Sequence, residues 1–383
     1  MPGRENPLRL KPANPGAAAR AAKFVAAGRK ERLVSPFEFW PPVLFYIPVG
    51  FYYLWLALRF RGLTLPTTAN PSIHAGGMIG ESKAQIFSLM PDRFRHLIAP
   101  YSLFRWPQGV DTTTDALSAA RQAMERTGLS YPIVAKPDVG QRGDGVRPVR
   151  NDEQLRDYLE RFPKNAEILL QELVTHPEEA GVMYFRRPGE DRGTIFSLTL
   201  KEFPAVVGDG ERTLRELILA DRRARRIRKV YFRRHEAELN RVIDAGRRFP
   251  LVFSGNHCQG AIFKDGIHLS TPAMLDAFDR IAVSMPGFFF GRFDIRFRDP
   301  DALRAGKDFK IIEINGAGAE ATHIWDARTT LSEAYGTLFR QFRALFEIGY
   351  ENRRLGHRPM GTLRFLKDFF SYTMLARRYP MCG

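Results

Sequence analysis

Two stretches of this chain carry side chains that can act together. GRFDIRF at 291–297 holds Asp294 within an alternating run, and FKIIEINGAGAEATHI at 309–324 holds Glu313 and Asn315 two residues apart. Residues two apart on a strand point to one face. Three oxygen donors converging from neighbouring strands suit a hard cation such as Mg²⁺, which takes few protein ligands and completes its shell with phosphate and water. An acidic strand with an exposed amide makes an odd surface and a worse core. The pair therefore reads as a metal–nucleotide site.

A third stretch, YPIVAKPDVGQRGDGVRPV at 131–149, reads as strand, glycine loop, strand, with Lys136 just ahead of the loop. Glycines let backbone N–H groups approach phosphate oxygens, and a lysine beside them adds a compact positive charge. An ordinary glycine hairpin is the alternative. No Gly-Lys-Ser/Thr follows, so this is not a P-loop. A strand rather than a helix comes next, so it is not a dinucleotide fingerprint either.

These residues need elements to hold them. Helical patterns span 112–127, ending at Gly128, and 151–162, where Asn151 or Asp152 caps and Leu155, Tyr158 and Leu159 face inward. AEILLQELV at 166–174 reads as a buried strand, and further strands lie at 183–187, 194–203 and 251–263. Helices are expected at 272–285 and 329–347. Between them, 213–246 is a long and very basic helical region. Its basic stretch at 222–234 is a solvated face, a lid that draws in an acidic substrate, or a nucleic-acid surface. No nucleic-acid reader motif accompanies it, so no nucleic-acid partner is expected.

The 383 residues are 44% hydrophobic and 26% charged, an ordinary globular composition with room for more than one packed unit. The formal net charge of +16 favours anionic partners: phosphates, an acidic substrate, an anionic membrane face or nucleic acid. Cys258 and Cys382 show neither a disulfide framework nor metal spacing, which fits a reducing compartment.

Residues 1–35 read as a basic flexible tail. FWPPVLFYIPVGFYYLWLALRF at 39–60 is apolar and long enough to cross a bilayer, with Trp40, Tyr46, Tyr52, Tyr53 and Trp55 as interfacial anchors. Pro41, Pro42 and Pro48 argue against a clean span, and basic residues on both flanks select no orientation. An interfacial segment and a buried element of the globular part are the other readings. The tail GTLRFLKDFFSYTMLARR at 361–378 puts Leu363, Leu366, Phe370 and Met374 on one helical face beside Arg364, Lys367, Arg377 and Arg378. That pattern suits a membrane surface or packing on the chain's own domain.

The order of parts, a lysine strand, a glycine flap, Gln171-Glu172-Leu173-Val174, Glu179, Lys201, then GRFD (291–294) and EINGAG (313–318), resembles the ATP-grasp superfamily over roughly residues 70–350. The resemblance is to D-alanine–D-alanine ligase and the ligase region of cyanophycin and glutathione synthetases. VVGDGERTLRELI (206–218) and SGNHCQG (254–260) look like the cyanophycin synthetase branch. The implied fold is α+β, two α+β subdomains gripping ATP between them, here with a truncated N-terminal region and the apolar segment in its place. The implied layout is a tail at 1–35, a membrane-associating segment at 36–61, a preceding region at 62–130, the ATP-grasp domain at 131–350 and a basic amphipathic tail at 351–383.

Carried over by position, the resemblance implies that Lys136 and Lys83 contact the ATP phosphates. Gly140, Gln141, Arg142, Gly143, Gly145 and Val146 form the flap. Glu172, Leu173 and Val174 form the adenine hinge. Glu179, with Glu178 as competitor, binds the ribose, and Lys201 adds a further nucleotide contact. Asp294, Glu313 and Asn315 hold Mg²⁺, and Arg292 stabilises developing charge. Asn256, His257, Gly316 and His323 are the substrate candidates. AEATHIWD departs from the D-alanine ligase version, so D-alanine is not implied. The implied activity joins a small carboxylate to an amine through an acyl phosphate, releasing ADP and phosphate. A small-molecule kinase and a non-catalytic nucleotide-binding membrane protein are the alternatives. The expected setting is cytoplasmic, at the inner membrane, with a homodimer left open.

Overall fold

The computed structural model describes residues 34–109, 112–141, 143–255 and 260–380. The tail expected at 1–35 lies almost wholly outside them, as do Cys258 and Cys382. Two antiparallel sheets face each other across a cleft.

The smaller sheet has the order β1-β4-β2-β3, from β1 (Tyr101–Phe104), β2 (Ile133–Pro137), β3 (Arg147–Val149) and β4 (Ile168–Glu172). Alternation divides each strand between two faces. Ile133, Ala135, Ile168 and Leu170 turn outward to a core shared with Leu117 and Met124 of α3 (Thr113–Arg126) and Leu155, Tyr158 and Leu159 of α4 (Asp152–Arg161). Lys136 and Gln171 turn the other way, into the cleft. Both helices start on a side-chain cap, Thr112 and Asn151, each accepting from the third residue on. β1 completes this sheet, so its unit begins ahead of the boundary expected at 131.

The larger sheet has the order β11-β10-β5-β6-β9: β5 (Glu178–Phe185), β6 (Thr194–Glu202), β9 (Ile262–Asp265), β10 (Phe290–Phe297) and β11 (Phe309–Asn315). Phe293, Ile295 and Phe297 pack outward on Met274, Phe278 and Ile281 of the helix Pro272–Ser284. Arg292, Asp294 and Arg296 alternate with them and line the cleft. The two sheets and the glycine hairpin between β2 and β3 line one cleft.

A third, small unit inserts between β6 and β9. β7 (Ala205–Val207) pairs β8 (Arg248–Pro250) over Leu214, Leu217, Ile218 and Tyr231. The sequence pattern suggests a long, very basic helical region at 213–246. The structure breaks it into α5 (Leu214–Ala220), a 3-10 turn at Ala224–Ile227 and α6 (Arg228–Arg234). Two short helices meeting in a turn can enclose a core of their own, which one straight helix cannot.

The apolar segment forms α1 (Pro42–Arg59), one helix among the described residues long and apolar enough to cross a membrane. It packs along the 24-residue helix Leu331–Arg354 through Phe45–Tyr335, Tyr52–Phe339, Tyr53–Phe346 and Phe60–Tyr350 ring contacts. Its opposite face leaves Val43, Leu44, Phe51 and Leu58 in solvent, Leu58 at 80% exposure. The C-terminal helix Thr362–Ala376 buries no residue and exposes Leu363, Leu366, Phe370 and Met374, the face expected from its sequence.

Candidate active site

The cleft encloses a cavity of about 590 Å³ lined by both sheets, the flap and the N-terminal segment. Its electrostatic centre is a buried network on the larger sheet. Asp294 accepts from Arg292 through both oxygens, at 2.9 and 3.0 Å, from Lys201 Nζ at 3.0 Å and from Asn315 Nδ2 at 3.2 Å. Burial alone would raise the Asp294 carboxyl; Arg292 and Lys201 outweigh it and hold the group at about 2. Burial likewise opposes the Lys201 charge, but Asp294 and Glu179 hold its ammonium above the ordinary range. Gly181 makes room for this cluster, since a Cβ there would meet Arg292 Cδ at 3.0 Å and Asp294 Oδ1 at 3.1 Å.

A bulge delivers the next two residues. The register of β10 against β11 shifts between Asp294 and Ile295, so that Asp294 faces Glu313 while Ile295 faces Ile311. The extra residue, Ile312, turns its carbonyl out of the ladder, where it accepts from Lys136 Nζ at 2.8 Å. Lys136 donates a second bond to Gln171 Oε1 at 2.7 Å. Both partners are neutral, so burial pulls the Lys136 ammonium down to about 8, with Glu313 the main group opposing the fall. Lys83, at the start of the short helix Lys83–Ser88, donates to Gly140 O at 2.7 Å and lies 3.4 Å from Glu313. Lys83 thus ties the flap base to the acidic strand. Beside it, burial raises the Glu81 carboxyl to about 7, and its Oε2 lacks a hydrogen-bond partner.

Asp294, Glu313 and Asn315 do meet, as two carboxylates and one amide. Among the described residues no cluster of three His, Cys, Asp or Glu side chains can hold a metal by itself. Hard oxygen donors in this small number fit Mg²⁺ completed by phosphate oxygens and water rather than a closed protein cage.

Lys83, Lys136, Gly140, Gln141, Gly143, Val146, Glu172, Leu173, Val174, Glu179, Lys201 and Arg292 all line the cavity, together with Asp294, Glu313 and Asn315. At the hinge, the Glu172 and Leu173 N–H groups donate to the Pro100 and Pro132 carbonyls. Gly145 turns aside: its N–H donates to Pro380 O and its carbonyl accepts from Tyr158. Glu179 is buried between Lys201, at 3.0 Å, and Arg296, at 3.0 Å. Gly316 does not line the cavity; it packs so closely on Gly77 that a Cβ would meet Gly77 Cα at 2.7 Å. His323 also faces away, its Nδ1 2.6 Å from Ser197 Oγ in a buried setting that lowers its basicity. Thr322, one residue earlier, lines the cavity in its place. Arg142, Asn256 and His257 lie outside the described residues; Ser254 and Gly255, just before the last two, line the cavity.

Sequence reasoning missed the remaining wall. Phe39, Trp40, Pro42, Phe45 and Tyr46 close the end of the cavity beyond Arg292, with Glu320 and Trp325. Their aromatic content was visible, but it is the same signal as a membrane anchor. Glu38 is buried and ion-paired with Arg223 of the basic unit, and the Arg223 and Arg226 guanidiniums lie over the Phe39 ring. The basic region is therefore tied to the N-terminal segment through Arg223 and Arg226, while Arg222, Arg225, Arg228 and Lys229 face solvent.

No family model and no curated protein matches the chain. Among solved structures it is similar to a bifunctional glutathione synthetase from Pasteurella multocida, at 15% identity over 68% of this chain and 36% of that one, TM-score 0.32. It is similar to the VanG D-Ala:D-Ser ligase from Enterococcus faecalis, at 12% identity over 71% and 62%, TM-score 0.39. It also resembles the ATP complex of D-alanine–D-alanine ligase from Bacillus anthracis, at 12% identity over 74% and 71%, TM-score 0.39. The chain spans about a third of the glutathione synthetase and under two thirds of VanG.

Proposed function

We propose that the protein is an ATP-dependent carboxylate–amine ligase working at the cytoplasmic face of a membrane. The observation that carries the reading is the convergence of Lys83, Lys136, Arg292, Asp294, Glu313 and Asn315 on one enclosed cavity between two sheets. Phosphoryl transfer asks the protein for alignment and for charge neutralisation more than for covalent help. Lys83 and Lys136 meet the phosphates from the flap side. Mg²⁺ held by Asp294, Glu313 and Asn315 would neutralise charge on the transferring phosphoryl group. Arg292, clamped by Asp294, presents a fixed guanidinium where the acyl phosphate and the tetrahedral adduct of the amine develop negative charge. The apolar wall beyond Arg292 keeps water from the acyl phosphate.

The exposed apolar faces of α1 and the C-terminal helix, with Arg364, Lys367, Arg377 and Arg378 exposed on the latter, support an interfacial seat on an anionic bilayer. α1 packs along Leu331–Arg354 over its length, which favours lying on the membrane over crossing it. Co-flotation with anionic but not neutral vesicles tests this seat.

ADP release with Mg·ATP across amino acids and small carboxylates, each with and without an amine, tests the chemistry. Turnover that needs both substrates and disappears in Glu313→Ala supports the ligase. Turnover with one substrate and no amine refutes it in favour of a kinase.

A further inference from the structure

The cavity wall beyond Arg292 comes from neither sheet. It is built by the N-terminal end of α1 and the segment before it, with Trp325 from the turn after β11. Two carboxylates lie in it, Glu38, which is ion-paired with Arg223, and Glu320. Glu320 Oε2 accepts from the Tyr46 hydroxyl at 2.5 Å, and Oε1 accepts from the Trp325 indole N–H at 3.1 Å. Both donors are neutral. Among the described residues no lysine, arginine or histidine forms an ion pair with Glu320, in contrast to Glu38, Glu179 and Asp294 around the same cavity. The guanidinium that approaches it, Arg292, donates to the Glu320 backbone carbonyl at 3.1 Å and gives its other nitrogens to Asp294. Glu320 is thus oriented by two hydrogen bonds; its charge acts on Arg292 through space but has no ion-pair partner among the described residues.

Resting on the ligase reading for its role, we propose that Glu320 binds the amine substrate in its ammonium form, and that this amine has an apolar body. A carboxylate supplies a charge-assisted hydrogen bond to an ammonium, and aromatic faces attract cations through their quadrupole. Tyr46 and Trp325 hold their rings beside the carboxylate, and Trp40, Phe45 and Pro42 line the same cavity. A polyanionic acceptor would meet Glu320 as a like charge. The position also suits the reaction: the Glu320 carbonyl is bonded to Arg292, so an ammonium held by its side chain lies next to the residue assigned to the acyl phosphate, and passing one proton to the Glu320 carboxylate frees the nitrogen lone pair for attack.

The test is binding to the full chain, read by titration calorimetry with phenethylammonium as probe and 2-phenylethanol as its neutral counterpart. Glu320→Gln preserves size and the capacity to accept a hydrogen bond. Loss of one charge-assisted bond should weaken phenethylammonium binding about 10-fold or more, while 2-phenylethanol and Mg·ATP bind as before. Were Glu320 only a tie between α1 and the turn, the amide would serve as well and the probe would bind both proteins equally; that result overturns the proposal. So does failure of phenethylammonium to bind the wild type, or equal binding of the alcohol. If Glu320→Gln does not fold, Trp325→Leu, which removes the indole and its N–H, should weaken the same probe. The ligase reading fails separately: Glu320-dependent binding of the probe, with no amine stimulating ADP release, would refute that reading and leave the ammonium site standing.

Discussion

Lys136 should contribute little to the stability of the empty protein and strengthen it once nucleotide arrives. Its ammonium is buried with two neutral acceptors, Gln171 Oε1 and Ile312 O, and burial brings it from the ordinary 10.5 to about 8. That fall corresponds to a cost on the order of 3 kcal/mol for keeping the charge in the empty site. Lys136→Met removes the charge and keeps the length. It forfeits two hydrogen bonds to a charged donor, each contributing about 1.5–2 kcal/mol. The terms nearly cancel, so the unfolding free energy without ligand should stay within about 2 kcal/mol of wild type. ATP affinity should fall roughly 30- to 150-fold, from loss of about 2–3 kcal/mol of charged contact. The pH dependence carries the same signature. A lysine with a depressed folded value binds its proton more weakly folded than unfolded. Between about 8 and 10.5 the unfolded chain therefore holds more protons, and wild-type stability gains with rising pH in that window. Affinity for ATP declines over the same interval, and Lys136→Met shows neither trend. Urea unfolding with and without Mg·ATP from pH 7 to 10 measures both. A variant destabilised by more than about 4 kcal/mol, with ATP affinity intact, would refute the argument.

Three further outcomes follow from named contacts. Glu38→Gln leaves Arg223 buried without its carboxylate and should cost about 3–5 kcal/mol; the double variant Glu38→Leu with Arg223→Met should recover part of it, as denaturant midpoints will show. Gly181→Ala places a methyl 3.0 Å from Arg292 Cδ, tilting the guanidinium off Asp294; kcat should drop about 10-fold or more with KM for ATP little changed, since the displaced group acts late. Tyr379→Ala removes a hydroxyl that donates to Val139 O at 2.7 Å and a ring stacked on Phe162. The flap then loses one of its ties to the C-terminal segment, and KM for ATP should rise about 3- to 10-fold by the net worth of one hydrogen bond; an unchanged KM would show that the flap holds its place without Tyr379.

What the sequence disclosed depended on whether a signal was local. Asp294, Glu313 and Asn315 were legible because strand alternation and a glycine turn act over a few residues, and the same holds for Lys136 ahead of its hairpin. The bulge at Ile312 was not legible: it arises from pairing between β10 and β11 and leaves no mark on either strand alone. Gly316 and His323 show the limit of carrying roles by position. Gly316 is needed where two backbones approach, against Gly77, and His323 is drawn to Ser197 on a neighbouring strand. The largest gap lay at 39–60. An apolar helix rich in tyrosine and tryptophan has one composition whether its aromatic rings meet lipid or line a cavity, and α1 divides them: Phe51 and Trp55 are exposed, while Phe45 and Tyr46 line the site. Those roles become linked once one helix supplies both surfaces. Anything that shifts α1 on Leu331–Arg354 also moves Tyr46 and, through its hydroxyl, Glu320. A membrane holding the outer face of α1 would therefore fix the geometry of the inner one. Amine binding should then tighten on anionic vesicles while ATP affinity, set by Lys136 and the hinge on the opposite sheet, stays level.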